Sequence, residues 1–122
     1  MARTTFDGPI RIRRGAVVTQ ATSRATGVTI NAPAGQITMN AASLAAGAEA
    51  KFTVTNSYVT ATSVPVIALA SGQTADTSIV TVTAVAAGSF QITVTNLNAA
   101  TADTGAGVIN FIVFNGSNAD AG

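Results

Sequence analysis

The chain reads as an all-β protein: an antiparallel β-sandwich, jelly-roll-like, of about eight strands behind an extended N-terminal arm. Three observations predict this. Short stretches alternate apolar and polar residues, as in Lys51-Phe52-Thr53-Val54-Thr55 and Phe90-Gln91-Ile92-Thr93-Val94-Thr95. Period-two alternation in β-branched residues is the pattern of half-buried strands. Turn residues separate these stretches at short intervals, as several strands folded into two packed sheets require. The length of 122 residues suits one domain with enough interior to fold without staples.

In chain order, residues 1–14 read as a basic arm. Gly8 and Pro9 break it, and Ile10, Arg11, Ile12 and Arg13 alternate like a short edge strand. The sandwich domain spans 15–115, with strands expected near 16–20, 27–31, 36–39, 50–56, 64–70, 78–85, 89–96 and 107–114. Residues 40–47 are rich in alanine between Asn40 and Gly47 and suit one helical turn or a loop. Pro65 has no N–H to give a ladder, so the fifth strand lies at an edge or begins there. The last strand, Val108-Ile109-Asn110-Phe111-Ile112-Val113-Phe114, is apolar on both faces. It is expected in the domain centre or under a neighbouring subunit. Residues 116–122 form a small, polar tail that is expected to fray.

One hairpin can be put in register. A three-residue loop of Ala86, Ala87 and Gly88 pairs Ala84 with Phe90, Val82 with Ile92 and Val80 with Val94. This aligns the apolar face and puts Thr81 opposite Thr93. A two-residue loop pairs Val82 with Thr93 and mixes the faces. The longer loop is therefore expected, with Gly88 in a left-handed conformation.

Composition narrows the function. The chain has no Cys, His or Trp. Disulfides and thiolate or imidazole metal sites are excluded, and no cofactor is implied. Only 9% of residues are charged, against about 25% in ordinary domains. Such a surface is expected to be covered by copies of itself or by a partner. The start of the chain has no apolar segment of the secretory kind, and no run approaches the ~20 apolar residues of a membrane span.

Charge is unevenly placed. Arg3, Arg11, Arg13, Arg14 and Arg24 face only Asp7 in the first 24 residues, a net +4. Lys51 faces Glu49, Asp76, Asp103 and Asp120 in the remainder, a net −3. The arginines have three readings: protection of an edge strand by charge, an arm that meets an acidic surface through bidentate contacts, or nucleic-acid binding. The last lacks the interleaved aromatics that would stack bases.

The catalytic motifs are weak. Asp103-Thr104-Gly105 matches the aspartic-protease triplet, but no apolar strand precedes it and little chain follows, so a loop turn is expected. Gly105-Ala106-Gly107 has neither the third glycine nor the helix of a dinucleotide fingerprint. Asn115-Gly116-Ser117 matches a glycosylation triplet and is more simply a turn. Asp76 and Asp103 could meet across loops, with no further motif beside them. No enzyme is expected.

From Gly15 to about Phe114 the chain resembles small β-sandwich virion proteins of tailed bacteriophages. The resemblance rests on Gly15, Val18-Thr19-Gln20, Thr22-Ser23-Arg24, Val28-Thr29-Ile30-Asn31, Gly35-Gln36-Ile37-Thr38 and Phe52-Thr53-Val54-Thr55-Asn56. It continues through 84–93 to Asn110 and Phe111, and Phe6-Asp7-Gly8-Pro9 looks like the start of stand-alone phage head proteins. The resemblance implies a capsid cement or decoration role on the outer surface of the virion, after synthesis in the bacterial cytoplasm. The implied partners are the major capsid protein and copies of the chain itself, as a homo-dimer or homo-trimer. Membrane and small-molecule substrates are not implied.

The expected capsid contacts are Phe6, Arg11, Arg13, Arg14 and Arg24, together with an apolar sheet face. The alternative is a receptor- or glycan-binding module of a tail or head fibre. Tyr58 is the only Tyr and there is no Trp, so sugar-stacking side chains are scarce.

Overall fold

A computed structural model describes residues 7–9, 12 and 15–116. Its strands are β1 (Ala16–Thr19), β2 (Val28–Thr29), β3 (Ala34–Thr38), β4 (Glu49–Thr55), β5 (Ser63–Ser71), β6 (Ser78–Ala86), β7 (Ser89–Asn96) and β8 (Val108–Asn115). They form two sheets of four, ordered β1-β3-β8-β5 and β2-β4-β7-β6. Alternation in each strand sends one set of side chains between the sheets, and this builds the β-sandwich.

Between the sheets lie Ile37, Met39, Phe52, Val54, Phe90, Ile92, Val94 and Ile109, all essentially inaccessible. Phe90 and Phe111 meet across the core with ring centroids 6.0 Å apart and planes tilted by 58°. This is one of the off-parallel arrangements that aromatic quadrupoles favour. Gly35 lies opposite Phe111 in the ladder. A Cβ at Gly35 would stand 2.8 Å from the Ala16 carbonyl oxygen and 3.0 Å from the Phe111 ring, so a side chain there would displace the aromatic contact.

The chain crosses between sheets at almost every connection, and only β6 and β7 join as a hairpin within one sheet. Each crossing reverses direction. Strands separated by two crossings therefore run the same way, which makes β1–β3 and β2–β4 parallel. The other ladders are antiparallel. Antiparallel pairing is the sequence expectation throughout. The two parallel pairs arise because a strand in the opposite sheet serves as the crossover connection.

The β6–β7 hairpin corrects another expectation. Its loop has two residues, Ala87 and Gly88, with Ala86 opposite Ser89 and Val85 opposite Phe90. An irregularity between Val82 and Ala84 then shifts the register by one residue. Beyond it, Val82 pairs with Ile92, Thr81 with Thr93 and Val80 with Val94, the pairs that the apolar pattern demands. Thr83 is the extra residue of a β-bulge. Gly88 is left-handed as expected, at φ 84°.

β5 is an edge strand, with Pro65 opposite Val113, as its proline requires. β8 lies between β3 and β5, but only one of its faces is covered within the domain: Ile109, Phe111 and Val113 are buried, while Phe114 on the outer face is 50% exposed. Residues 40–47 form a loop. The Asn40 side chain accepts a bond from the Ala42 N–H at 2.9 Å, and Leu44 is buried and bridged to Asp103.

Candidate functional site

The sandwich offers two outer faces of different chemistry. On β2-β4-β7-β6, outward positions carry Thr29, Thr53, Thr55, Thr81, Thr83 and Thr95 with Gln91, Lys51 and Glu49, and one large apolar residue, Ile79. Hydroxyls bond along this face: Thr83 Oγ1 lies 2.8 Å from Thr93 Oγ1 and 3.0 Å from Gln91 Oε1. On β1-β3-β8-β5, outward positions carry Val17, Thr19, Gln36, Thr38, Val64, Val66, Ala68, Asn110, Ile112 and Phe114, with Ala34 buried at the same register. In the ladder, Val64 stands opposite Phe114, Val66 opposite Ile112 and Ala34 opposite Ile112. Val17, Val64, Val66 and Phe114 are each 50–58% exposed. Gln36 and Asn110 satisfy each other through one bond of 2.9 Å.

Two shallow hollows flank β8 on the apolar face. One, of about 160 Å³, is lined by Val66, Ile67, Ala68, Asn110, Phe111 and Ile112. The other, of about 270 Å³, is walled on its far side by Ala34, Gly35, Gln36 and Ile12. Ile12 is the one described arm residue that lines this face. Ile12 itself lies outside any strand. Residues 10, 11 and 13 lie outside the described residues.

At one end of the sandwich, a buried ion pair ties loops together. Arg24 is 4% exposed and Asp103 fully buried. The guanidinium donates to the carbonyls of Ala42, Asp103 and Gly105, and its Nη2 stands 3.6 Å from Asp103 Oδ1. Asp103 Oδ1 accepts from the N–H groups of Thr74 at 2.9 Å and Gly105 at 3.0 Å, and Oδ2 accepts from the Ser78 hydroxyl at 2.6 Å. Burial alone would push this carboxyl up. The bonds from Ser78, Thr74 and Gly105 and the Arg24 charge outweigh it and hold the carboxyl below its ordinary value. Asp103 is therefore a structural anion, and the Asp103-Thr104-Gly105 triplet belongs to the β7–β8 loop.

Two buried asparagines repeat one device. Val54-Thr55-Asn56 and Val94-Thr95-Asn96 end neighbouring antiparallel strands, so their amides sit at opposite ends of the sheet. Asn56 donates to the Ala32 carbonyl at 2.7 Å and accepts from the Tyr58 N–H at 2.9 Å. Asn96 donates to the carbonyls of Leu44 and Thr101 and accepts from the Asn98 N–H at 2.9 Å. Each amide closes a turn and ties it to a distant loop, satisfying groups that water cannot reach.

The expected contact residues fare differently. Phe6, Arg11, Arg13 and Arg14 lie outside the described residues. Arg24 is not a surface contact: its guanidinium is enclosed and occupied by three carbonyls and Asp103. Sequence reading missed this because a lone arginine near an arginine cluster looks like part of it. Its partner Asp103 is distant in sequence.

Among the described residues no group of three His, Cys, Asp or Glu is placed to hold a metal ion. No helix among them is long and apolar enough to cross a membrane. Comparison with family models, curated proteins and solved structures gives no match.

Proposed function

We propose that the chain is a structural virion protein that binds and stabilises a bacteriophage capsid by bridging neighbouring major capsid subunits. The observation that carries this reading is how the charge is distributed. In the body, residues 15–116, charged side chains occur only at Arg24, Glu49, Lys51, Asp76 and Asp103. Arg24 and Asp103 are buried against each other, and Lys51 lies 3.7 Å from Glu49. The body's exposed surface is therefore left with one uncompensated charge, Asp76. The other basic residues of the chain, Arg3, Arg11, Arg13 and Arg14, fall in the sequence of the arm.

A nearly neutral body with a basic arm suits a protein that lies on a large acidic surface and packs beside its own kind. The arm supplies attachment, with arginine forks suited to carboxylates. The sandwich supplies a stiff block that spans between subunits. Repetition over a lattice multiplies modest individual contacts. Catalysis has no part in this reading: Asp103, the one buried carboxylate among the described residues, is occupied by structural donors.

The test is co-sedimentation with shells of the cognate major capsid protein. The full chain should saturate the shells. A variant lacking residues 1–14 should not bind, while its circular dichroism keeps the β signature. Unchanged occupancy by the truncated chain would remove the arm from the reading. Binding to arrayed glycans in place of shells would favour the fibre-module alternative.

A further inference from the structure

We propose that Asn115 is a modification site: an asparagine that deamidates spontaneously when the backbone nitrogen of Gly116 displaces its side-chain amide. The inference does not depend on the proposed function.

The chain has eight asparagines, and only Asn115 precedes a glycine. The reaction requires the backbone nitrogen of the following residue to reach the asparagine Cγ. A glycine leaves that nitrogen unshielded and lets the peptide turn into the required conformation. The fold adds three conditions. First, Asn115 and Gly116 are both exposed, so water and base reach the reacting atoms. Second, Asn115 is the last residue of β8, and its pairing with Ser63 is the terminal rung of the β5–β8 ladder. Turning the peptide between Asn115 and Gly116 therefore opens only the end of the ladder, where local opening costs least. Third, the Ser63 hydroxyl donates to Asn115 Oδ1. A carboxylate at this position accepts the same bond, so the folded chain accommodates the product.

The buried asparagines show the contrast. Asn56 precedes the small Ser57, yet it is inaccessible and its Nδ2 donates to the Ala32 carbonyl at 2.7 Å. Asn96 is equally buried, with Nδ2 bonded to the carbonyls of Leu44 and Thr101. In both, the group that would leave is tied into the fold and Cγ is shut away from water.

The step balances without an oxidant or cofactor. Base in the solvent removes the Gly116 N–H proton, and the nitrogen adds to Cγ of Asn115. The bond from Cγ to Nδ2 then breaks, and ammonia departs with a proton from the medium. Water opens the resulting cyclic imide. Opening at Cγ gives aspartate, and opening at the backbone carbonyl gives isoaspartate, whose main chain runs through the former side chain. Either product adds one negative charge, which takes the net charge from +1 to zero. That charge appears beside the exposed pair of Val64 and Phe114.

The experiment incubates the full chain alone for several weeks, in neutral and in mildly alkaline buffer. Samples are read by isoelectric focusing and by peptide mass mapping. A species more acidic than the starting isoelectric point of about 8.3 should accumulate, faster in the alkaline buffer. The peptide carrying residue 115 should gain the mass difference between an amide and an acid, divided between aspartate and isoaspartate. Asn56 and Asn96 should remain amides. Gly116→Ala should slow the conversion roughly tenfold or more, since a Cβ hinders the approach of the nitrogen. The added Cβ would stand 3.4 Å from the Thr62 carbonyl oxygen, an ordinary contact, so this variant should keep the fold and its thermal midpoint. Residue 115 remaining an amide throughout the incubation overturns the inference. So does an undiminished rate in Gly116→Ala, because the glycine nitrogen is then not the nucleophile.

Discussion

Asp103 shows how a residue's surroundings decide its role. In isolation it is an acid in a protease-like triplet. In the fold it takes bonds from Ser78, Thr74 and Gly105 beside Arg24. Because its folded pKa is lowered from 3.8, the unfolded chain binds its proton first as pH falls. Its stabilising contribution is complete above the ordinary value and is lost as pH drops through the lower, folded one. Asp103→Asn removes the charge and strands a buried guanidinium, one of whose nitrogens, Nη1, already lacks a hydrogen-bond partner. The expected cost at neutral pH is about 3 kcal/mol, read from urea midpoints. Across pH 6 to 2 the variant should lose less stability than the wild type; equal slopes would mean that other carboxyls govern acid unfolding.

The β6–β7 hairpin is the informative element. Val80, Val82 and Val85 are spaced by two and then by three, and all three pack toward the core. That break in parity was legible in the residues and marks a bulge. Sequence reading resolved the same conflict by lengthening the loop. A two-residue turn with Gly88 at φ 84° leaves the parity to be restored inside the strand, and Thr83 does so on the solvent side. Deleting Thr83 should straighten the hairpin and keep Val82 opposite Ile92 and Val85 opposite Phe90. The expected loss is about 1–2 kcal/mol, since one exposed hydroxyl bond to Gln91 and one half-buried bond to Thr93 disappear. Cross-strand NOEs report the register. A collapse of the fold on deletion would show that the bulge itself is required.

For the whole molecule, the physical origin of the proposed attachment fixes its response to salt. Attachment through the arginines of the arm would be electrostatic and should weaken severalfold between about 0.05 and 0.5 M salt, as the Debye length shrinks. Titration of shell binding against salt reads this, and occupancy that holds over the whole range would remove the arginines from the attachment.

Strand positions, the edge placement of β5 and the scarcity of charge in the body all follow from local pattern: alternation, one proline and composition. These depend on neighbours in sequence, so they can be read there. The parallel pairs, the burial of Arg24 and the contrast between the two outer faces could not be. Each depends on which distant segments meet. Arg24 finds Asp103 only after the chain has crossed between sheets several times. Val64 and Phe114 become one patch only when β5 closes against β8. Alternation says that a strand has two faces, and packing decides which of them is left exposed.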